Sequence, residues 1–348
     1  MSYKVSATCL KSSWLALFLL FLQAVSGQSK FQDLEQEFVS KQKALGKDVV
    51  LMLWKDTLIY KKELGEFNTK TQAPIGSASQ WLTAALVMIY ADEGKLSLDD
   101  KVSRWLPEFE RYNKNYITIR GCLAHLTGIK DEDNFMRKVF QPRKAGSLEE
   151  EVNRYAAKEI RTNPGTDFWY GNMGANIAAR VIEVISKKNF DVIIKQKLFT
   201  PLAMRRTTFT TMDGSPVNPA SGATTTGDDF IKFLVMLLNK GKANGKQVLS
   251  EESAEELRKI QTASMKMEYA PKAATGMSYS LGSWVMEEKD GKAAALSSLG
   301  LFGTFPVVDF CRNYALLILP KKLLEEEKTD AYMPLKKKID EQIASTCN

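Results

Sequence analysis

The sequence predicts an α/β (α+β) protein in which one antiparallel sheet, flanked by helices, is built from both ends of the chain. Three observations lead to this prediction. Apolar runs of β type occur early, at residues 49–54 and 58–60. Similar runs return after residue 271, and the long middle of the chain carries mostly helical signals. We therefore expect strands from the two ends to pair, while helices from the middle form a second lobe.

The early segment predicts a hairpin followed by a buried helix. Lys55-Asp56-Thr57 separates the first two apolar runs and reads as a turn. After an irregular stretch, residues 79–93 are apolar on nearly every face, which is typical of a central, buried helix. Gly94 is a suitable residue to end that helix.

The middle of the chain contains several helix starts with side-chain caps. Ser147 begins a capping box with Glu150, and Thr226 and Ser250 precede two further helical patterns, the second running through residue 260. Residues 176–188 place Ile177, Val181 and Ile185 on one stripe.

The last part of the chain predicts a strand meander and a closing helix. Expected strands are 279–286, 293–298, 302–308 and 314–319, with an Asp290-Gly291 turn between the first two. A final helix is expected at 335–344. The predicted organisation is a leader at 1–27, a sheet lobe at 28–74 and 271–348, and a mostly helical lobe at 75–270.

Charge and composition exclude some function classes. The 348 residues carry a mild formal net charge of +7, and no aromatic-basic array is present, so we expect no nucleic-acid partner. The run Lys336-Lys337-Lys338 is interpreted as a solvated helix face.

The N-terminus has the pattern of a secretory signal. Lys4 and Lys11 precede an apolar run at 14–25, and small residues suited to cleavage follow at 24–27. The run is short for a membrane span, although an uncleaved anchor stays open. We expect a secreted or periplasmic protein with no stable membrane span after cleavage.

Cysteine and histidine usage argues against a metal site and a disulfide framework. Removing the leader with Cys9 leaves Cys122, Cys311 and Cys347, an odd number, so at most one pair is expected. Cys122 lies in an apolar segment and is expected to be buried. His125 is the sole histidine, and no metal-ligand spacing occurs, so we expect neither metal nor cofactor.

The segment Ser77-Ala78-Ser79-Gln80 heads the buried helix and has a chemical interpretation. A serine hydroxyl needs a base beside it, and a residue three positions on lies one helical turn away on the same face. A desolvated lysine there can accept the serine proton near neutral pH, which is the physical reason for a Ser-x-x-Lys motif. Here Gln80 stands at the lysine position.

Six segments together make the chain resemble the serine β-lactamase and penicillin-binding-protein superfamily. The branch that it resembles most is the class C-like one, with β-lactamase-related esterases and D-amino peptidases. The first segment contains Ser77, the second runs to His125-Leu126-Thr127-Gly128, and the third contains Tyr170-Gly171-Asn172. The segments are 75–107, 117–128, 163–172, 201–204, 222–239 and 300–304.

The resemblance implies a role for each matching residue. Ser77 would be the nucleophile, Tyr170 would relay protons, and Asn172 would hydrogen-bond an ester or amide of a small molecule or peptide. The backbone N–H groups of Ser77 and Leu301 would form the oxyanion hole. The third motif, usually Lys-Thr-Gly or His-x-Gly, reads Ser298-Leu299-Gly300, which assigns Ser298 and Gly300 to the binding site.

Two departures from the family pattern leave three functions open. Gln80 and Ser298 replace both cationic members of the site, so a catalytically impaired protein that keeps its cleft is the favoured hypothesis. An active serine esterase or amidase using Ser77 and Tyr170, with a basic group from elsewhere, is the alternative. A non-catalytic interaction protein with a vestigial cleft is the third. His125 is interpreted as a structural turn residue rather than part of a Ser-His-Asp triad.

Overall fold

A computed structural model describes residues 30–129, 146–210, 215–263, 265–299, 303–322, 324 and 329–347. The described strands are β1 Val49–Lys55, β2 Thr57–Leu64, β3 Ala73–Pro74, β4 Asp167–Trp169, β5 Thr224–Thr225, β6 Lys242–Ala243, β7 Lys246–Gln247, β8 Lys266–Tyr269, β9 Ser278–Tyr279, β10 Trp284–Lys289, β11 Lys292–Ser297, β12 Phe305–Asp309 and β13 Tyr314–Pro320. The described α-helices are α1 Gln32–Ser40, α2 Ser79–Asp92, α3 Glu108–Arg111, α4 Ile119–Leu123, α5 Leu148–Ala157, α6 Met173–Ser186, α7 Phe190–Ile194, α8 Gly227–Leu238, α9 Glu251–Glu256 and α10 Thr329–Asp340.

The main sheet has seven strands in the order β2-β1-β13-β12-β11-β10-β9, and every neighbouring pair is antiparallel. Strand β1 from the start of the chain pairs along its length with β13 from the end, with Val49 opposite Pro320 and Trp54 opposite Ala315. The predicted fold class, one antiparallel sheet built from both chain ends with helices around it, is therefore confirmed.

Both faces of this sheet are covered, and β1 shows why its residues are almost all apolar. Val50 and Met52 belong to the larger core, which contains the helices of the middle of the chain. Leu51 and Leu53 belong to a smaller core with α1 and α10. Because successive side chains in a strand point to opposite faces, one run of apolar residues serves both layers.

Local signals predicted several elements at nearly the observed bounds. Helix α2 runs from Ser79 to Asp92, and Gly94 after it has a φ of 66°, the left-handed backbone that glycine adopts without cost. The side chains of Ser147, Thr226 and Ser250 each accept a hydrogen bond from the backbone N–H three residues on. These residues are caps because they satisfy an N–H that the first helical turn leaves free.

Other element bounds differ from the prediction. Residues 279–286 are not one strand, because Gly282, with a φ of +82°, turns the chain between β9 and β10. Helix α9 ends at Glu256 and does not reach residue 260, and α10 begins at Thr329 with Pro334 inside it. The sequence patterns described above do not predict helix α1. Its last turn lacks the basic residue that often marks a helix end.

The interpretation of Lys336-Lys337-Lys338 as a solvated face is wrong for Lys336. Lys337 is exposed, but Lys336 is 3% exposed, and its Nζ lies 2.5 Å from a Glu287 oxygen and 2.6 Å from an Asp340 oxygen. The acidic partners offset the cost of burying the Lys336 charge.

Cysteine placement agrees with the limit of one pair. Cys311 and Cys347 form a disulfide with a Cα–Cα distance of 5.1 Å, and Cys122 is free and buried.

Within the described ranges, no helix is both long and apolar enough to cross a bilayer. No group of three or more His, Cys, Asp or Glu side chains suited to a metal ion occurs in the same part of the chain. The leader at 1–27 lies outside the described residues.

Candidate active site

Ser77 lies in a single 3-10 turn, Gly76–Ala78, that leads directly into α2. This turn is held by its neighbours rather than by Ser77. Ile75 N donates to Ala223 O at 3.0 Å, Ser79 Oγ donates to Gly76 O at 2.6 Å, and Ala223 N donates to Ser79 Oγ at 3.0 Å. The structure therefore gives the anchoring role to Ser79 and leaves the Ser77 hydroxyl free for another use.

The Ser77 hydroxyl is buried and has no hydrogen-bond partner. Ser77 is 5% exposed and makes no capping bond to the helix that follows it. A buried polar atom without a partner is uncommon and needs an explanation. An N-cap function does not explain this one.

Gln80, one turn along α2, is 2% exposed and is hydrogen-bonded through both ends of its amide. Its Nε2 donates to Gly171 O at 3.4 Å, and its Oε1 accepts from the Tyr279 hydroxyl at 3.4 Å. Gly171 lies between Tyr170 and Asn172, so the amide connects α2 to the loop that carries both predicted site residues. Both distances are long, which indicates weak bonds.

Tyr170 and Asn172 lie between β4 and α6. Tyr170 N donates to Tyr269 O at 3.0 Å, and Asn172 is the residue before the first turn of α6. The Oδ1 atom of Asn172 is buried without a partner, as is the Ser77 hydroxyl. The Gln80–Gly171 hydrogen bond thus joins the loop that carries Tyr170 and Asn172 to the helix that follows Ser77.

Burial raises the pKa of the Tyr170 phenol to about 12. Ser77 and Trp284 face the hydroxyl and act to lower this pKa, but Ser77 Oγ and Trp284 Nε1 make no hydrogen bond of ordinary geometry. Because the pKa lies far above neutral, Tyr170 is a protonated phenol at physiological pH.

Tyr170 and four other aromatic rings pack together on one side of the site. Tyr170 lies 4.7 Å from His125 and 5.2 Å from Trp284 between ring centroids, and Tyr279 lies 4.9 Å and 4.8 Å from the same two rings. Phe168 completes the group, 5.6 Å from His125 and 5.5 Å from Trp284. We call His125, Phe168, Tyr170, Tyr279 and Trp284 the aromatic wall.

His125 has a structural environment rather than that of a triad member. It has a φ of 59°, its Nε2 lies 3.2 Å from the Tyr279 hydroxyl, and burial lowers its pKa to about 3. Since Tyr279 donates to Gln80, the tautomer that completes this chain carries its proton on Nε2. No hydrogen bond joins His125 to Ser77, so the pair does not form a nucleophile–base couple.

Of the third motif, the structure describes only the first two residues. Ser298 follows β11 and is 5% exposed, and Leu299 is buried with a φ of 52°. Ser297 Oγ accepts a hydrogen bond from Leu299 N at 2.9 Å, which stabilises this turn. Gly300 and Leu301 lie outside the described residues, so the predicted oxyanion pair of Ser77 and Leu301 remains a prediction.

No described lysine or arginine hydrogen-bonds to Ser77 or Gln80. The two buried lysines of the described chain lie elsewhere, Lys114 donating to Ala156 O and Lys336 to acidic side chains. A cavity of about 730 Å³ is also separate, since none of the described site residues lines it. The described residues predicted for the site, Ser77, Gln80, Tyr170, Asn172 and Ser298, include none with a cationic or acidic side chain.

Tyr279 and Trp284 are site residues that sequence reasoning missed. Both were assigned only to a strand. The available signal was Gly282 between them, because a glycine inside a strand pattern often marks a close backbone approach. A Cβ at Gly282 would lie 2.8 Å from Ala84 Cβ and 2.9 Å from Gln80 O, so this corner packs directly on α2.

Comparisons with known proteins agree with this arrangement. The Beta-lactamase family model matches residues 31–335. "Protein flp" of Staphylococcus aureus (strain MW2) is 30% identical over 142 residues, which are 40% of this chain and 28% of that protein. "Penicillin-binding protein 4*" of Bacillus subtilis (strain 168) is 27% identical over 141 residues, 40% and 31% of the two chains. This chain thus matches less than a third of the length of either curated relative.

Solved structures share the fold across nearly the whole chain. A protein described as a beta-lactamase from Bacteroides dorei DSM 17855 has a TM-score of 0.78 at 23% identity, covering 89% of this chain and 98% of that one. EstCE1, a hydrolase with promiscuous acyltransferase activity, has a TM-score of 0.74 at 17% identity, covering 90% and 99%. With a family model that spans most of its length and a sheet and helix arrangement of the same kind, the chain belongs to the beta-lactamase family.

Proposed function

We propose that this protein keeps a serine-hydrolase cleft that binds a peptide, ester or amide ligand but turns it over poorly. The observation that carries the proposal is the buried Gln80 amide, held by Gly171 and Tyr279 where the family motif has its lysine. An amide does not accept a proton near neutral pH, so Ser77 lacks the base that its attack requires.

Tyr170 does not replace the missing base. With a pKa of about 12, roughly one molecule in 10⁵ carries the phenolate at pH 7. No described cation lies beside the phenol to stabilise that form. Loss of general-base assistance typically lowers a rate by about 10²–10⁴-fold.

Binding has more support than turnover. The Ser77 hydroxyl and Asn172 Oδ1 are a donor and an acceptor that remain unpaired in the buried site. A ligand carbonyl and amide N–H are the matching groups for such a pair. Leaving both atoms unpaired is costly, and an acyl ligand that pairs them would recover part of that free energy.

An active esterase or amidase is the second candidate, and one observation favours it. The Ser77 hydroxyl has no structural partner and lies at the start of a helix, where free backbone N–H groups stabilise developing negative charge. Solved neighbours of this fold include a family VIII carboxylesterase and a D-stereospecific amidohydrolase. This candidate needs a basic group that none of the described residues supplies.

A fluorophosphonate probe separates the two candidates. We expect no labelling of the wild type within minutes and clear labelling of Gln80→Lys, because a buried lysine has a lowered pKa and accepts the Ser77 proton. Labelling of Gln80→Lys should rise with pH as the amine loses its proton. Gln80→Met is the matched control, since it has similar length but no base and should stay silent.

Two outcomes contradict the proposal of an impaired enzyme. Stoichiometric labelling of the wild type within minutes, abolished by Ser77→Ala, identifies the protein as an active hydrolase. A folded Gln80→Lys variant that stays unlabelled at every pH, like Gln80→Met, means that the cleft no longer supports chemistry. The second result favours an interaction protein with a vestigial cleft.

We also propose secretion into an oxidising compartment. The Cys311–Cys347 disulfide supports this proposal, because such bonds persist outside reducing cytosol. Sequencing the N-terminus of protein purified from its native host tests it. A chain that begins near residue 28 agrees with the proposal, and a chain that retains the leader contradicts it.

A further inference from the structure

Trp284 is buried between the third-motif strand and Tyr170. It opens β10, where it pairs with Tyr279 of β9 on one side and Ser297 of β11 on the other. The residue is 1% exposed, and its ring centroid lies 5.2 Å from that of Tyr170. Two positions before it, Gly282 packs closely against α2, so the strand that carries the indole begins beside the helix that follows Ser77.

The polar atom of this indole is unsatisfied. Trp284 Nε1 is buried and makes no hydrogen bond, as is also true of Ser77 Oγ. Both atoms carry a proton, and both face the hydroxyl of Tyr170. Two unpaired donors that converge on one phenol indicate that its oxygen is the acceptor for which they are arranged.

We propose that Trp284 is a positioning residue whose indole N–H dipole faces the Tyr170 oxygen, without a hydrogen bond of ordinary geometry, and holds that oxygen toward Ser77. The N–H places the positive end of a dipole beside the phenol in a site with no described cation. In a buried, low-dielectric setting such a dipole interacts more strongly with the oxygen than it would in water. The inference rests on the proposed function, since it assigns a role within the same cleft.

Burial alone does not account for the placement of this indole. Trp81 is equally buried and its Nε1 is also unpaired, but its ring packs against Phe233 at 5.9 Å. Of these two indoles, the one that faces the Tyr170 hydroxyl is that of Trp284. Trp81 therefore serves as an internal reference for a tryptophan N–H without the proposed acceptor.

The first experiment uses the indole N–H resonances of the purified, ¹⁵N-tryptophan-labelled chain, with Trp284→Phe to assign one peak. We expect Tyr170→Phe to shift the Trp284 indole proton upfield, because the ring stays and only the acceptor oxygen is lost. Tyr279→Phe is the matched control, because it removes a hydroxyl that donates to Gln80. The Trp81 peak should stay in place in both variants.

A Trp284 peak that does not move in Tyr170→Phe overturns the assignment. So does an equal shift in Tyr279→Phe, because it would report a general repacking of the aromatic wall. This experiment needs no turnover, so its result is independent of whether the protein has activity.

The second experiment measures the pH dependence of fluorophosphonate labelling in the Gln80→Lys background. If the Trp284 dipole acts across the site, its removal in Trp284→Phe should favour the protonated form of the amine introduced by Gln80→Lys. The midpoint of the profile should then move upward by about 0.5–1 pH unit, as expected for loss of one polar interaction. If Trp284→Phe lowers the labelling rate equally at all pH values and leaves the midpoint unchanged, the role of Trp284 is purely structural and the proposal is overturned. If Gln80→Lys is never labelled, the proposed function fails, and the resonance experiment alone decides the role of Trp284.

Discussion

The molecule buries polar groups in two regions that differ in charge. One region contains uncharged groups, and the other contains charged side chains that pair with one another. The Ser77 site contains uncharged groups, with Ser77 Oγ, Asn172 Oδ1 and Trp284 Nε1 left unpaired. Between the sheet and α10, a charged cluster consists of Glu287, Asp309, Arg312, Lys336 and Asp340. The first region has unpaired atoms with no ionic partner. In the second, even the atom without a hydrogen bond, Arg312 Nε, lies 3.6 Å from an Asp340 carboxylate oxygen.

Distances within the charged cluster show how closely it is paired. Arg312 Nη1 lies 2.9 Å from Glu287 and 3.0 Å from Asp309, and Lys336 Nζ lies within 2.6 Å of both Glu287 and Asp340. Burial would lower the pKa of Lys336, but its bonds to Asp340 and Glu287 outweigh this and raise it. The contrast teaches that this fold can bury charge where it stabilises, so the uncharged cleft does not follow from a general avoidance of buried charge.

The largest effect is expected from breaking the charged cluster. Lys336→Met leaves three acidic side chains with one cation fewer, and removing one partner of a buried ion pair typically costs about 3–5 kcal/mol. Urea denaturation measures the free energy of unfolding. Lys337→Met, on the exposed neighbour, is the control and should change it by about 0.5 kcal/mol or less. Equal effects of the two variants would show that the cluster does not stabilise the fold.

The disulfide beside this cluster should have the next largest effect. Cys311 and Cys347 are 36 positions apart, and a bond across a loop of this length is worth about 3–4 kcal/mol in the chain-entropy description. We expect Cys347→Ser to lower the melting temperature, and reductant to lower that of the wild type to the same value. Reductant should have no further effect on Cys347→Ser. A wild type that is insensitive to reductant after complete reduction would contradict this expectation.

Elements set by local chemistry could be predicted from the sequence, and contacts between distant positions could not. The caps at Ser147 and Thr226 depend on residues three positions away, and the pairing of chain ends follows from where the strand patterns occur. The burial of Lys336 depends on Glu287, 49 positions away. No periodicity within α10 reveals that partner.

The same distinction holds within the candidate site. Ser77 and Gln80 could be identified because they lie within one helical turn and their spacing carries the chemistry. Tyr279 reaches Gln80 across 199 positions, Trp284 contacts the Tyr170 ring, and Gly282 between them packs closely on α2. Their roles follow from the three-dimensional contact, which neither residue type nor spacing encodes.

The stability of the fold should depend on His125 staying uncharged in its buried position, and this dependence can be tested by lowering the pH. Burial lowers its pKa to about 3 in the folded protein from about 6.5 in the unfolded chain, so the unfolded chain binds one more proton between these values. Stability must therefore fall as pH drops below about 6.5. Between pH 7 and pH 4 this group contributes a loss of about 3 kcal/mol.

Comparing His125→Asn with the wild type isolates that contribution. Asparagine tolerates the left-handed backbone at this position, and it does not titrate in this range. The absolute stability of the variant should be lower because a buried ring is lost. Its drop between pH 7 and pH 4, measured by urea denaturation, should be about 3 kcal/mol smaller than in the wild type. An unchanged drop would mean that His125 is not held neutral by its surroundings.

The smallest changes in the free energy of unfolding are expected from removing one tyrosine hydroxyl in each region. Tyr279 makes two long bonds in the cleft, 3.4 Å to Gln80 and 3.2 Å to His125, whereas Tyr314 donates to the Asp340 carboxylate at 2.8 Å. A hydrogen bond to a charged group is worth about 1.5–3 kcal/mol and one between neutral groups about 1 kcal/mol. Tyr314→Phe should therefore destabilise the fold more than Tyr279→Phe. Both substitutions keep a buried ring, so packing changes little and the difference in the free energy of unfolding reports the hydroxyl alone. The opposite order would show that the neutral chain through Gln80 is the stronger of the two networks, and the contrast between the regions would have to be abandoned.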